Sequence, residues 1–143
     1  MVAILVYVFS FFFFLLHFFL SFVCVYFLFV RSLEHLDSLP SHLIHHSSYL
    51  SSYYGVCHYE LNHYSKAADY FQHQLNIAPY NFMNFEYYST ALWHLRKEME
   101  LSYLTQHCMN MDKSAPQTWM AAGNLFSSRR EREVALKFFK RVR

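Results

Sequence analysis

PQTWMAAGNLFSSRREREVALKFFKRV, residues 116–142, carries two apolar stripes at helical spacing. Trp119, Ala122, Gly123 and Phe126 stand at i, i+3, i+4 and i+7, one face of a helix that Pro116 can open at its first turn. Ala135, Phe138, Phe139 and Val142 form the apolar face of a second helix. The landmarks of this stretch recur upstream: Gly55, Ala67 and Phe71 each stand 68 positions before Gly123, Ala135 and Phe139.

Twice 34 is the offset expected of tetratricopeptide-type repeats, in which each unit is a pair of antiparallel helices. The spacing predicts an all-α solenoid of about three such hairpins, over 48–81, 82–115 and 116–143. Small residues belong where the two helices of a hairpin cross, because a large side chain there holds the backbones apart. Gly55, Ala67, Ala122, Gly123 and Ala135 answer that need. Phe71, Phe126 and Phe139 supply rings to fill the groove between hairpins, and Trp119 is expected to cap the packing against the previous unit. Pro79 ends the second helix of the first unit. The middle unit is divergent: Ser89 stands where the glycine is expected, and Glu100 or Leu101 occupies the alanine region. The chain stops at Arg143, before the turn that closes a third unit, so the last repeat is expected to be truncated.

The first thirty residues are of another kind. Met1 to Val30 hold no Asp, Glu, Lys or Arg, and only Ser10, His17 and Ser21 interrupt apolar and aromatic residues. A helix of about 20 mostly apolar residues suffices to cross a bilayer, and Arg31 stands where a basic flank belongs. The sequence therefore predicts a hydrophobic N-terminal helix, read as a transmembrane segment. A second reading is read-through of thymine-rich non-coding DNA, since 10 of these 30 residues are Phe. A secretory signal fits less well: the amino end lacks a basic residue and no small-x-small cleavage site follows. Residues 31–47, rich in His and Ser and broken by Pro40, read as a polar linker.

Composition narrows the function classes. Two Gly and three Pro in 143 residues speak against an all-β fold, and a net charge of +2 is too small to indicate nucleic-acid binding, although seven of the twelve Lys and Arg residues fall between Arg129 and Arg143. An independent basic amphipathic helix explains that cluster less well than the repeat does. No glycine-rich phosphate loop, GxSxG or HExxH motif is present, so no enzyme, cofactor or metal is expected. Cys57 and His58 are adjacent on a helix and point about 100° apart, which prevents direct pairing as nucleophile and base. His42, His45 and His46 lack a nearby Cys or carboxylate to complete a metal site.

Two strings are more specific than the repeat. YYSTALWHLRKEMELSYL (87–104) and MDKSAPQTWMAAGNLFSSRREREVALKFFKR (111–141) resemble the cell division cycle protein 27 family, the third subunit of the anaphase-promoting complex, and the resemblance extends back to about Gly55. It implies a non-catalytic scaffold in a ubiquitin ligase of the cell cycle, in the nucleus and cytoplasm. Its partners are then the peptide tails of activator and core subunits and other tetratricopeptide subunits, and the resemblance implies a homodimer for the full-length protein. Asn124, after Gly123, corresponds to an Asn that several tetratricopeptide domains use to hold a peptide, with Gln117, Met120 and Ser127 as its neighbours in a peptide groove. A membrane-anchored adaptor unrelated to ubiquitination is the alternative, should residues 1–30 be genuine.

Overall fold

The computed structural model describes residues 2–38 and 47–142, with side chains from residue 15 onward in the first helix. Among the described residues the chain is all helix. The elements are α1 (Val2–Asp37), α2 (Ser48–Glu60), α3 (Tyr64–Ile77), α4 (Phe85–His94), α5 (Glu98–Met111), α6 (Pro116–Ser128) and α7 (Arg132–Phe139). Helices α2 and α3, α4 and α5, and α6 and α7 are the three expected hairpins.

The 34-residue period is written into the turns. Asn62, Arg96 and Arg130 adopt left-handed backbone at φ 61°, 56° and 66°. Their N–H groups donate to the carbonyls of Tyr59, Trp93 and Ser127, and the next N–H groups, of His63, Lys97 and Glu131, reach back to His58, Leu92 and Phe126 at 2.8–3.0 Å. Each first helix thus ends in the same Schellman closure, which satisfies its last carbonyls and reverses the chain. Glycine is the usual occupant of that left-handed position, and here the chain uses Asn once and Arg twice.

Inside the first and third hairpins the helices touch through a ring on a glycine. A Cβ built on Gly55 meets Phe71 Cε1 and Cζ at 2.8 Å, and one built on Gly123 falls on the ring of Phe139. The middle hairpin reverses the sizes. Ser89 replaces the glycine and Thr105 stands in the place of Phe71 and Phe139, both buried. The volume lost on the second helix is returned on the first, and Leu101, fully buried, takes the alanine place. Phe71, Phe85, Tyr88, Leu92, Leu101, Leu104 and Cys108 make the common core.

Trp119 stacks on Phe138 of its own hairpin at 5.9 Å with the Arg141 guanidinium 4.9 Å from its centroid, and Phe126 and Phe138 stack at 5.2 Å to extend the same aromatic layer. One expectation changes. The stretch read as linker from residue 31 is helical as far as Asp37. Half-buried Leu33 and Leu36 continue the helical period, Arg31 pairs with Glu34 at 3.5 Å, and Asp37 accepts a hydrogen bond from the Tyr54 hydroxyl at 3.1 Å. Pro40 and the histidines 42, 45 and 46 lie outside the described residues. Pro79 follows the α3 cap at Ala78, and its carbonyl lies 2.8 Å from His107 Nε2 on the next hairpin.

The size exchange is testable. Gly55→Ser alone is expected to lower stability by about 1–3 kcal/mol through overpacking against Phe71. Adding Phe71→Thr copies the middle hairpin and is expected to recover part of that loss, contrary to the deeper loss that two independent lesions give. Thermal melts of the two single variants and the double variant read the sign of the coupling.

Candidate functional site

The three first helices form a layer: α4 packs on both α2 and α6, whereas the second helices pack on the first helix that follows them. Stacks of such repeats curve into extended concave surfaces. Polar contacts hold this layer. Asn84 Nδ2 donates to Ser52 Oγ at 2.6 Å, and Asn124 Nδ2 donates to Ser89 Oγ at 3.0 Å and Thr90 Oγ1 at 3.2 Å. Gln74, fully buried on α3, donates to the carbonyls of Met83 at 2.9 Å and Asn81 at 3.4 Å, which ties the loop between the first two hairpins.

The four residues assigned to a peptide groove are therefore not equivalent. Asn124 is 7% exposed, and its amide hydrogens are spent on the neighbouring first helix. Gln117, Met120 and Ser127 are half-buried on the same helix, and no side-chain hydrogen bond engages them among the described residues. These three retain the freedom to meet a ligand. Sequence reasoning missed Glu86, which stands one repeat before Met120. Its Oε2 is buried without a hydrogen-bond partner. The 34-residue register is the signal that finds it, once Met120 is singled out.

Ala67, Phe71, Ala122 and Ala135 are buried, Gly55 and Gly123 lie under rings, and Phe126 and Phe139 are half-buried at the end of the stack. Nothing here assembles a reactive centre among the described residues. Burial pushes the Cys108 thiol up to about 12 and raises that of Cys57, with Glu60 adding to the latter, so both stay protonated and non-nucleophilic near neutrality. His58 goes the other way: burial first, then Lys66, lowers its pKa and keeps the ring neutral. No group of three metal-ligating side chains converges among the described residues.

Helical hairpins of 34 residues, stacked with their first helices in one layer, define a tetratricopeptide-repeat protein. No family model matches the chain. The human protein named cell division cycle protein 27 homolog is 41% identical over 107 residues, which is 75% of this chain and 13% of that protein. Protein bimA of Emericella nidulans is 42% identical over 88 residues, 62% of this chain and 11% of its own length. Anaphase-promoting complex subunit 3 of Dictyostelium discoideum is 36% identical over 85 residues, 59% of this chain and 9% of its own. The chain belongs to the cell division cycle protein 27 family. It spans about one-eighth of the length of the human relative.

Asn124 supplies the second test. Asn124→Ala removes two hydrogen bonds buried between α6 and α4, so stability is expected to fall by about 1–2 kcal/mol. Ser89→Ala on top of it should add little, because the partner is already gone. A double-mutant cycle by denaturant unfolding checks this; additive losses would show that the pair does not act as one contact.

Proposed function

We propose that this chain is part of a non-catalytic scaffold subunit of the anaphase-promoting complex, which holds peptide tails of activator and core subunits on its first-helix layer. The observation that carries the reading is its 41% identity with the human relative of that family, joined to a first-helix layer on which Gln117, Met120 and Ser127 are half-buried and make no side-chain hydrogen bond among the described residues. Stacked first helices suit an extended or helical peptide, because their concave face offers side chains from several turns at once. Gln117, Met120 and Ser127 are the contacts on α6, and Glu86 presents a carboxylate from α4. Asn124 serves beside them by fixing the spacing of α4 and α6. Homodimerisation, contacts with other tetratricopeptide subunits and residence in nucleus and cytoplasm belong to the same proposal.

A triple variant, Gln117→Ala, Met120→Ala and Ser127→Ala, is expected to keep its melting temperature and bind a synthetic activator-tail peptide about 10- to 150-fold more weakly, as the loss of one charged hydrogen bond implies. Calorimetric titration with parallel melts reads both quantities. Unchanged affinity would remove α6 from the site.

One observation favours a second reading, a membrane-anchored tetratricopeptide adaptor. Leu15–Asp37 of α1 is 23 residues long and holds an 18-residue window of mean hydropathy 1.9, none of which is fully buried in the protein. Phe18, Phe19, Leu20, Phe22 and Phe27 are each more than half exposed. A helix of this length and exposure is stable in hydrocarbon and poorly stable in water. Cys24, exposed on the same helix, reports the difference. In intact membranes, a water-soluble maleimide should leave Cys24 unlabelled until detergent is added; rapid labelling before detergent would exclude a membrane-embedded helix.

A further inference from the structure

The turns of the second and third hairpins enclose an open cleft of about 890 Å³ lined by Trp93, His94, Arg96, Glu98, Ser127, Ser128, Arg130 and Arg132. These are four positions of the repeat, each used twice at an interval of 34. Arg96 and Arg130, both in left-handed backbone, line the same cleft. Glu98 is already engaged, accepting from Arg129 Nε at 2.8 Å. Arg96, Arg130 and Arg132 pair with no carboxylate among the described residues.

The junction above it explains why this one is open. In the first hairpin the same four positions hold Tyr59, Glu60, Asn62 and Tyr64. Tyr64 stacks on His94 at 4.3 Å, and Tyr59 packs edge-on to Tyr64 at 5.4 Å, so rings fill the space between hairpins one and two. One repeat later the Tyr64–His94 pair is replaced by Glu98 and Ser128. A stacked aromatic pair has given way to a carboxylate and a hydroxyl, so no rings bridge this junction.

We propose that this cleft binds an acidic peptide segment of a protein partner, with its carboxylates or phosphoryl group on Arg96, Arg130 and Arg132 and an apolar side chain on the exposed ring of Trp93. Guanidinium forks match planar carboxylate and phosphate oxygens two at a time, and three of them around one cleft favour an anion over any neutral ligand. The volume lies in the range of ligand sites and suits a few residues. The Glu98 carboxylate on the wall disfavours a long polyanion such as a nucleic acid, whose charge is uninterrupted. This surface adjoins the tail-binding layer, since Ser127 lines the cleft as well, but its three arginines stand outside the tail contacts named above.

The test uses the full chain in neutral detergent micelles and fluorescence anisotropy. The probe is a labelled glutamate-rich peptide with a central phosphoserine and one leucine, compared with its unphosphorylated and glutamine-for-glutamate forms. Arg96→Asn with Arg130→Asn installs the residue that the first turn carries as Asn62, which preserves the left-handed closure. It is expected to weaken binding at least about tenfold. Lys137→Asn with Lys140→Asn removes the same charge away from the cleft and should leave affinity within about twofold, since exposed charges act weakly at a distance in salt. Should the first variant lose its helical circular dichroism, Arg132→Gln carries the test, with a weaker but measurable loss expected. Equal losses in the two charge-matched variants, equal binding of the glutamine peptide, or tighter binding of a single-stranded oligonucleotide would each overturn the proposal.

Discussion

The array depends on how closely two helices of a hairpin approach, and that distance is set where a phenylalanine ring lies on a glycine. Phe71 on Gly55 and Phe139 on Gly123 leave no room for even a methyl group. Packing at this density tolerates exchange only when volume is conserved. The middle hairpin meets the condition from the opposite side, with Ser89 on the first helix and Thr105 on the second. Its hydroxyl at Ser89 then becomes an acceptor for Asn124, which a glycine could not be. A change in packing inside one hairpin thereby creates the bond that joins it to the next.

That bond belongs to a polar seam between first helices. Ser52 with Asn84, and Ser89 and Thr90 with Asn124, place side-chain hydrogen bonds about one repeat apart. Apolar contact alone allows neighbouring helices to slide, whereas a buried amide left without a partner is penalised by about 1–3 kcal/mol. The seam therefore fixes which turn of α6 faces which turn of α4. The positions left over, Glu86, Gln117, Met120 and Ser127, are presented at a defined spacing. In the proposed scaffold role that spacing matters, since an extended peptide must meet several side chains at once.

The N-terminal helix meets this array through its carboxyl end. Leu15 to Leu28 are exposed, and burial begins with half-buried Phe29 and Val30 and continues through Leu33 and Leu36, with Asp37 hydrogen-bonded to the first hairpin. Burial of Tyr54, and then its hydrogen bond to Asp37, holds the phenol protonated well above its usual range, so it remains a donor to that carboxylate at any physiological pH. A polar residue at the end of an apolar helix thus docks on the first hairpin and covers a face that would otherwise be bare.

The sequence by itself determined the helical hairpins and their period, because both rest on the spacing of small and aromatic residues, while the family was legible only as a resemblance of the strings at 87–104 and 111–141. Glycine under phenylalanine, alanine at the crossing and proline at Pro116 and Pro79 all leave a mark in the string. It did not reveal the left-handed turns at Asn62, Arg96 and Arg130, since the glycine that normally signals them is absent from all three. Helix α1 was also legible only to Val30, because the residues after it are polar and their helical state depends on packing against α2. Only the tertiary structure decided which polar residues were free. Asn124, Gln117, Met120 and Ser127 share one helical face in sequence, and nothing local distinguishes them. The close approach of α4 buries Asn124 and leaves the other three half-exposed, and the replacement of a stacked ring pair by Glu98 and Ser128 opens the arginine-lined cleft. Both outcomes depend on residues a full repeat away, which is why a reading along the chain could place the helices but not assign their faces.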